Sequence, residues 1–89
     1  MIRNEQFIKR RVGEKDVIIA VGEASKRFNG MISVNATGSF IWDQLEKEIT
    51  MDELVAAMMA HYEVEEAAAR QNAEAFVGTL REVGAVVGE

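Results

Sequence analysis

Eighty-nine residues, 48 % of them apolar, suit one small domain over residues 1–89 with a single modest core, and exclude disorder. The absence of cysteine excludes disulfides, thiolate catalysis and cysteine-ligated metal, and no apolar run reaches the ~18 residues of a membrane span. The net charge of −5 is unevenly placed: residues 1–30 carry seven Lys/Arg against four Asp/Glu, and residues 31–89 three against eleven, so a mildly basic half precedes a strongly acidic one.

The first eleven residues, MIRNEQFIKRR, hold no apolar stretch of signal-peptide length, so a cytoplasmic location is expected. Gln6–Val12 is a plausible first strand. Gly13–Asp16 is a polar, glycine-containing turn, and Val17–Val21 is a second strand, five apolar residues in a row. Both faces of that run are expected to be covered, one of them by a partner if not by the chain itself. Residues 22–27 connect to a third strand over Phe28–Val34. There Phe28, Ile32 and Val34 point one way, and Asn29, Met31 and Ser33 the other. Short connections make this an antiparallel meander whose third strand is an edge.

At Asn35 the apolar period changes from 2 to 3.6. Asn35 can turn the chain and cap a helix over residues 36–47, with Ile41, Trp42 and Leu45 as its apolar residues. Thr50-Met51-Asp52-Glu53 is a capping box, so a second helix starts at Met51 and ends near residues 61–63. A third helix opens at residues 64–66. Its stripe is Ala69, Ala73, Phe76, Leu80 and Val83, and Gly84 stands where a C-terminal glycine belongs. Ala85–Val87 is an apolar tail that can pack back or extend a sheet. The fold expected is α+β: a three-stranded antiparallel sheet followed by three helices, winged-helix-like because the last two helices can cross as a helix-turn-helix.

Catalytic chemistry is thin. His61 is the single histidine, and a zinc site needs three or four ligands. Ser25, Ser33 and Ser39 have no base positioned beside them, and no glycine-rich phosphate loop is present. No enzymatic activity, metal or cofactor is expected. A helix-turn-helix raises DNA binding, but the third helix begins with Glu65 and Glu66 and offers phosphate only Arg70 before Arg81. A purely structural or oligomerisation module is the other alternative.

Peptide binding by strand addition asks for an exposed edge and an apolar groove. The edge would be Phe28, Asn29, Met31, Ile32 and Ser33. The groove wall would come from the third helix through Ala73, Phe76 or Val77. The small residues Ala69 and Ala73 either leave room for a partner's side chain or simply pack close to the sheet. An unpaired edge can also pair with itself, which makes a homodimer plausible.

The run Val34-Asn35-Ala36-Thr37-Gly38-Ser39-Phe40-Ile41-Trp42, with Leu45 after it, resembles the strand-to-helix signature of the PqqD family of pyrroloquinoline quinone biosynthesis. Thr50-x-x-Glu53-Leu54-Val55 and Tyr62-Glu63-Val64 fit the same pattern, and the similarity spans roughly residues 5–87. The resemblance implies a non-catalytic peptide chaperone. Such a domain binds the leader segment of a ribosomally made precursor peptide beside the third strand and against the third helix. It presents that peptide to a modifying enzyme, often a radical S-adenosylmethionine enzyme. By position the edge is residues 28–34 and the facing helix residues 69–77, with Lys26, Arg27 and Arg70 as candidates to pair with acidic leader residues. The connection GEASKRFNG lacks the family's acidic-proline turn, and Phe28 alone stands for its usual aromatic pair. Two systems therefore stay open: quinone biosynthesis, and a sibling pathway making another modified peptide.

Overall fold

The computed structural model describes residues 1–88. Strand β1 (Ile2–Arg3) opens the chain, and β2 (Phe7–Val12) and β3 (Lys15–Ala20) follow as a hairpin. Their antiparallel register runs from Phe7↔Ala20 to Val12↔Lys15. The loop is therefore two residues, Gly13 and Glu14, tighter than the four expected. Gly13 takes φ +64° while no other residue type has positive φ. A glycine-first two-residue loop of this kind matches the twist of the strands it joins. Lys15 and Asp16 look like turn residues because they are polar. They belong instead to β3, where Asp16 meets Arg11 across the pair at 3.3 Å.

A short 3₁₀ turn (Gly22–Lys26) follows, and then β4 (Met31–Val34), paired with β3 from Asp16↔Val34 to Ile19↔Met31. The third strand of the meander is thus shorter than the expected 28–34. The Ala24 carbonyl accepts from the backbone N–H of both Arg27 and Phe28 (3.1 and 3.0 Å), which folds this stretch into a turn. Phe28 and Asn29 consequently stand outside the strand. Strand order is β2-β3-β4, so β4 is hydrogen-bonded along one side only.

Helix α1 (Ala36–Gln44) starts where the period changes. The Asn35 side chain accepts from the Gly38 N–H at 2.8 Å, the expected cap. The helix ends three residues sooner than expected. Helix α2 (Met51–His61) carries the capping box in full: Thr50 Oγ1 accepts from Glu53 N (3.1 Å), and Glu53 Oε1 accepts from Thr50 N (2.9 Å). Helix α3 (Glu66–Glu82) is closed by Gly84 at φ +81°. There Ala85 N donates to Leu80 O (2.8 Å) and Gly84 N to Arg81 O (3.1 Å), a Schellman motif. The tail then forms β5 (Val86–Val87), which pairs with β1 as a separate two-stranded ladder, Ile2↔Val87 and Arg3↔Val86. Sequence reading allowed the tail to extend a sheet but did not find its partner.

The α+β, winged-helix-like architecture is as expected. Its core lies between the inner face of the sheet and the three helices. Ile18, Trp42, Leu45, Leu54, Met58 and Leu80 are all 2 % exposed or less. Trp42 serves packing, with the Arg3 guanidinium 5.4 Å from its ring centroid. Among the described residues, no helix is long and apolar enough to cross a membrane.

Candidate functional site

Two elements meet just after β4 ends. One is the N-terminal half of α1 with its cap Asn35, and the other is one flank of α3. Between them lies a cleft of about 360 Å³, lined on the α1 side by Asn35, Thr37, Gly38 and Ile41. On the α3 side it is lined by Asn72, Ala75, Phe76 and Thr79. These helix residues are spaced three and four apart and share one face. Phe76 and Ile41 supply an apolar floor, while the two asparagines and two threonines supply a polar rim.

Gly38 makes the cleft possible. A Cβ at that position would come within 3.2 Å of Phe76 Cε1 and 3.3 Å of Asn35 Oδ1. Without it, the Phe76 ring lies back against the first turn of α1. Asn35 is fixed by its cap bond and so holds one lip of the cleft in place.

Strand β4, unpaired along its outer side, runs directly into the Asn35 lip of the cleft. Ile32 and Val34 are half-buried on the inner face, as are Phe28, Phe76 and Val83, all packed against the core. Phe28 lies 6.1 Å from Phe7, ring to ring. A separate, smaller recess is lined by Arg27, Ala24, Phe7, Val83 and Gly84, among others. A polar recess beside the hairpin tip includes Ser33, Val34 and Asn35.

The residues singled out from sequence do not all converge. Of them Phe76 lines the cleft, Arg27 lines the separate recess beside Ala24 and Phe7, and Ile32 and Phe28 pack half-buried against the core. Lys26 is exposed and pairs with Glu23 at 3.4 Å. Asn29 is exposed in the loop. Met31, 64 % exposed, and Ser33 turn their side chains to the opposite face of the sheet. Ala69 and Ala73 are wholly buried and Val77 is 2 % exposed, so these three pack in the core and form no groove wall. Arg70 binds Asp52 at 2.9 Å and Glu66 at 3.3 Å, and its pKa is raised by those hydrogen bonds, Asp52 foremost. The sequence reading missed Gly38, Asn72, Ala75 and Thr79. The signal available for the last three was their three-and-four spacing about Phe76.

His61 stacks on Phe40 at 4.5 Å and meets Tyr62 edge-on at 4.7 Å, joining the middle of α1 to the end of α2. Among the described residues, no group of three or more His, Asp or Glu side chains could hold a metal ion. Nothing supports the DNA-binding alternative: Glu65 and Glu66 lead α3, and Arg70 is already held by carboxylates.

A winged-helix-type domain with an open strand edge beside a helix-walled cleft belongs to the class suited to taking an extended peptide. More narrowly, this chain belongs to the PqqD family: the model of coenzyme PQQ synthesis protein D (PqqD) matches residues 14–86. Two solved structures share the fold. TbiB1 in complex with the TbiA(beta) leader peptide is 20 % identical, aligns over 100 % of this chain and 98 % of its own, and gives a TM-score of 0.78. Lasso peptide synthetase B1 complexed with the leader peptide is 19 % identical, aligns over 97 % and 95 %, and gives 0.73. No curated protein sequence matches the chain.

Proposed function

We propose that this chain is a leader-peptide-binding protein of modified-peptide biosynthesis. It takes the leader segment of a ribosomally made precursor as an added strand on the free edge of β4, with side chains entering the cleft toward α3. It then holds the precursor for a modifying enzyme, of which a radical S-adenosylmethionine enzyme is one candidate. The observation that carries this reading is the open edge of β4 beside the cleft of Gly38 and Phe76, in a chain of the PqqD family. The two structures of like fold each hold a leader peptide, which supports the same occupant here.

The division of labour follows from the geometry. Main-chain pairing along residues 31–34 supplies affinity with little regard to sequence. The cleft supplies selection, since a fully buried apolar anchor contributes roughly 1.5–3 kcal/mol before ordering costs. Nothing in this role asks the chain for a catalytic group, a metal or a cofactor, and the cytoplasm, where precursors are made, suits it. In the free state the same edge can pair with a second copy, so leader binding and self-association compete. Quinone biosynthesis and a sibling pathway differ here only in which leader fits.

The test is a calorimetric titration with the leader of a short precursor encoded beside this chain, with amide NMR shifts followed in parallel. Micromolar or tighter binding with shifts at residues 31–35 and 72–79 is expected. No heat and no shifts would sink the reading.

A further inference from the structure

The cleft between α1 and α3 is uncharged. Helix α3 carries five charged residues, Glu66, Arg70, Glu74, Arg81 and Glu82, and none of them lines it. Nor does any charged residue line the α1 side. Its polarity comes from Asn35, Thr37, Asn72 and Thr79, in a chain of which 28 % is charged. A leader side chain entering with a charge would lose water there and meet no counter-charge. A purely apolar one would strip water from the rim groups and offer them no bond in return.

The rim groups are not equivalent. Asn35 uses its side-chain oxygen on the Gly38 N–H at 2.8 Å, which leaves its amide nitrogen to donate. Thr79 donates its hydroxyl proton to the Ala75 carbonyl at 3.2 Å, which leaves it an acceptor. Asn72 is exposed, and among the described residues its side chain makes no hydrogen bond, so its donor and its acceptor are both free. It stands four residues before Phe76, one turn along α3 on the same flank. Position 72 therefore offers a free donor and a free acceptor beside the apolar floor.

We infer that Asn72 is a specificity-determining residue of the cleft, and that it selects a leader side chain with an apolar body and an uncharged tip that both donates and accepts, a carboxamide or a phenol. The inference rests on the reading above that the cleft takes a leader side chain. The body lies on Phe76, and the tip exchanges hydrogen bonds with the Asn72 amide. Such a tip replaces the water that the rim loses, which neither a charged nor an apolar tip does. The preference therefore belongs to the residue at position 72. An apolar residue there turns the cleft toward apolar anchors.

The test titrates the full chain with the leader of the precursor encoded beside it. It also uses leaders in which each tyrosine, glutamine or asparagine is replaced in turn by phenylalanine, methionine or leucine. With the wild-type chain, one replacement is expected to weaken binding about ten-fold, and which one it is tells a phenol from a carboxamide. Asn72→Leu, a change at an exposed position, should weaken the native leader by about as much. It should then bind that replaced leader no worse than the native one, the two changes failing to add. Equal binding of the native leader by wild type and Asn72→Leu overturns the inference and leaves the leader site standing. So do losses that simply add, a wild type indifferent to every replacement, or tight binding of a leader that has none of the three residues. A wild-type chain that binds no leader overturns it together with the proposed function.

Discussion

Gly38 and Phe76 share one space: the ring of Phe76 lies where a side chain at position 38 would begin, 3.2 Å from an ideal Cβ to Cε1. Gly38→Ala therefore sets two effects against each other. Alanine gains up to about 1 kcal/mol over glycine within a helix, while the new methyl group pushes on a half-buried ring that can swing outward. The way out is the cleft. Stability is expected to change by less than about 1 kcal/mol, a shift of a few degrees in Tm. Leader affinity should fall by about ten-fold, ~1.4 kcal/mol, because the ring then fills the anchor's place. Thermal melts and calorimetry on the same preparation check both halves. A variant that binds as tightly as wild type removes the cleft from the site.

Asn35 holds the lip of that cleft and starts α1 through one bond, its side chain accepting from Gly38 N at 2.8 Å. Asn35→Ala leaves that N–H without its cap and should cost about 1 kcal/mol, or roughly 4–8 °C in Tm for a domain of this size. Asn35→Asp keeps an acceptor and adds charge at the positive end of the helix dipole, so it should melt at or above wild type. If both variants melt together below wild type, the amide's donor, not its acceptor, is what position 35 needs.

Features carried by a few adjacent residues were legible in the sequence. The Thr50–Glu53 box, the Asn35 cap and the closing Gly84 each need only a local pattern, and each is in place. What depended on distant partners was not. The pairing of Ile2 with Val87 joins chain ends that share no local signal. Lys15 and Asp16 read as turn because polarity stood in for geometry, and a two-residue loop left them in β3. The α3 face was misjudged for the same reason. A stripe of Ala69, Ala73 and Phe76 marks the buried side, but how far the helix rolls about that stripe is decided by what it packs on. The roll buries Val77 and leaves Phe76 half-open, bringing Asn72, Ala75 and Thr79 to the cleft.

Ala73 tests that roll directly. It is wholly buried within the core cluster, so Ala73→Leu adds three carbons where there is no room. Overpacking of this kind typically costs about 1–3 kcal/mol. Chemical denaturation should show that loss with an unchanged slope, and leader affinity measured well below the melting range should stay near wild type. A variant of normal stability with altered affinity would instead place Ala73 on the groove wall.

Arg70 is the cation the sequence offered to an acidic leader, and the structure finds it already engaged. Asp52 at 2.9 Å and Glu66 at 3.3 Å both accept from Nη2, and these bonds raise its pKa and keep it charged. Reaching a peptide would mean giving up one of them in exchange for another exposed ion pair of similar worth, which leaves little net gain. Arg70→Glu should therefore hardly alter leader affinity. Its effect should appear in the free protein, where three carboxylates of α2 and α3 crowd together, as a lower Tm that added salt partly restores. Melts at low and high salt, run beside a leader titration, separate the two roles. A large loss of affinity with an unchanged melt would return Arg70 to the peptide site.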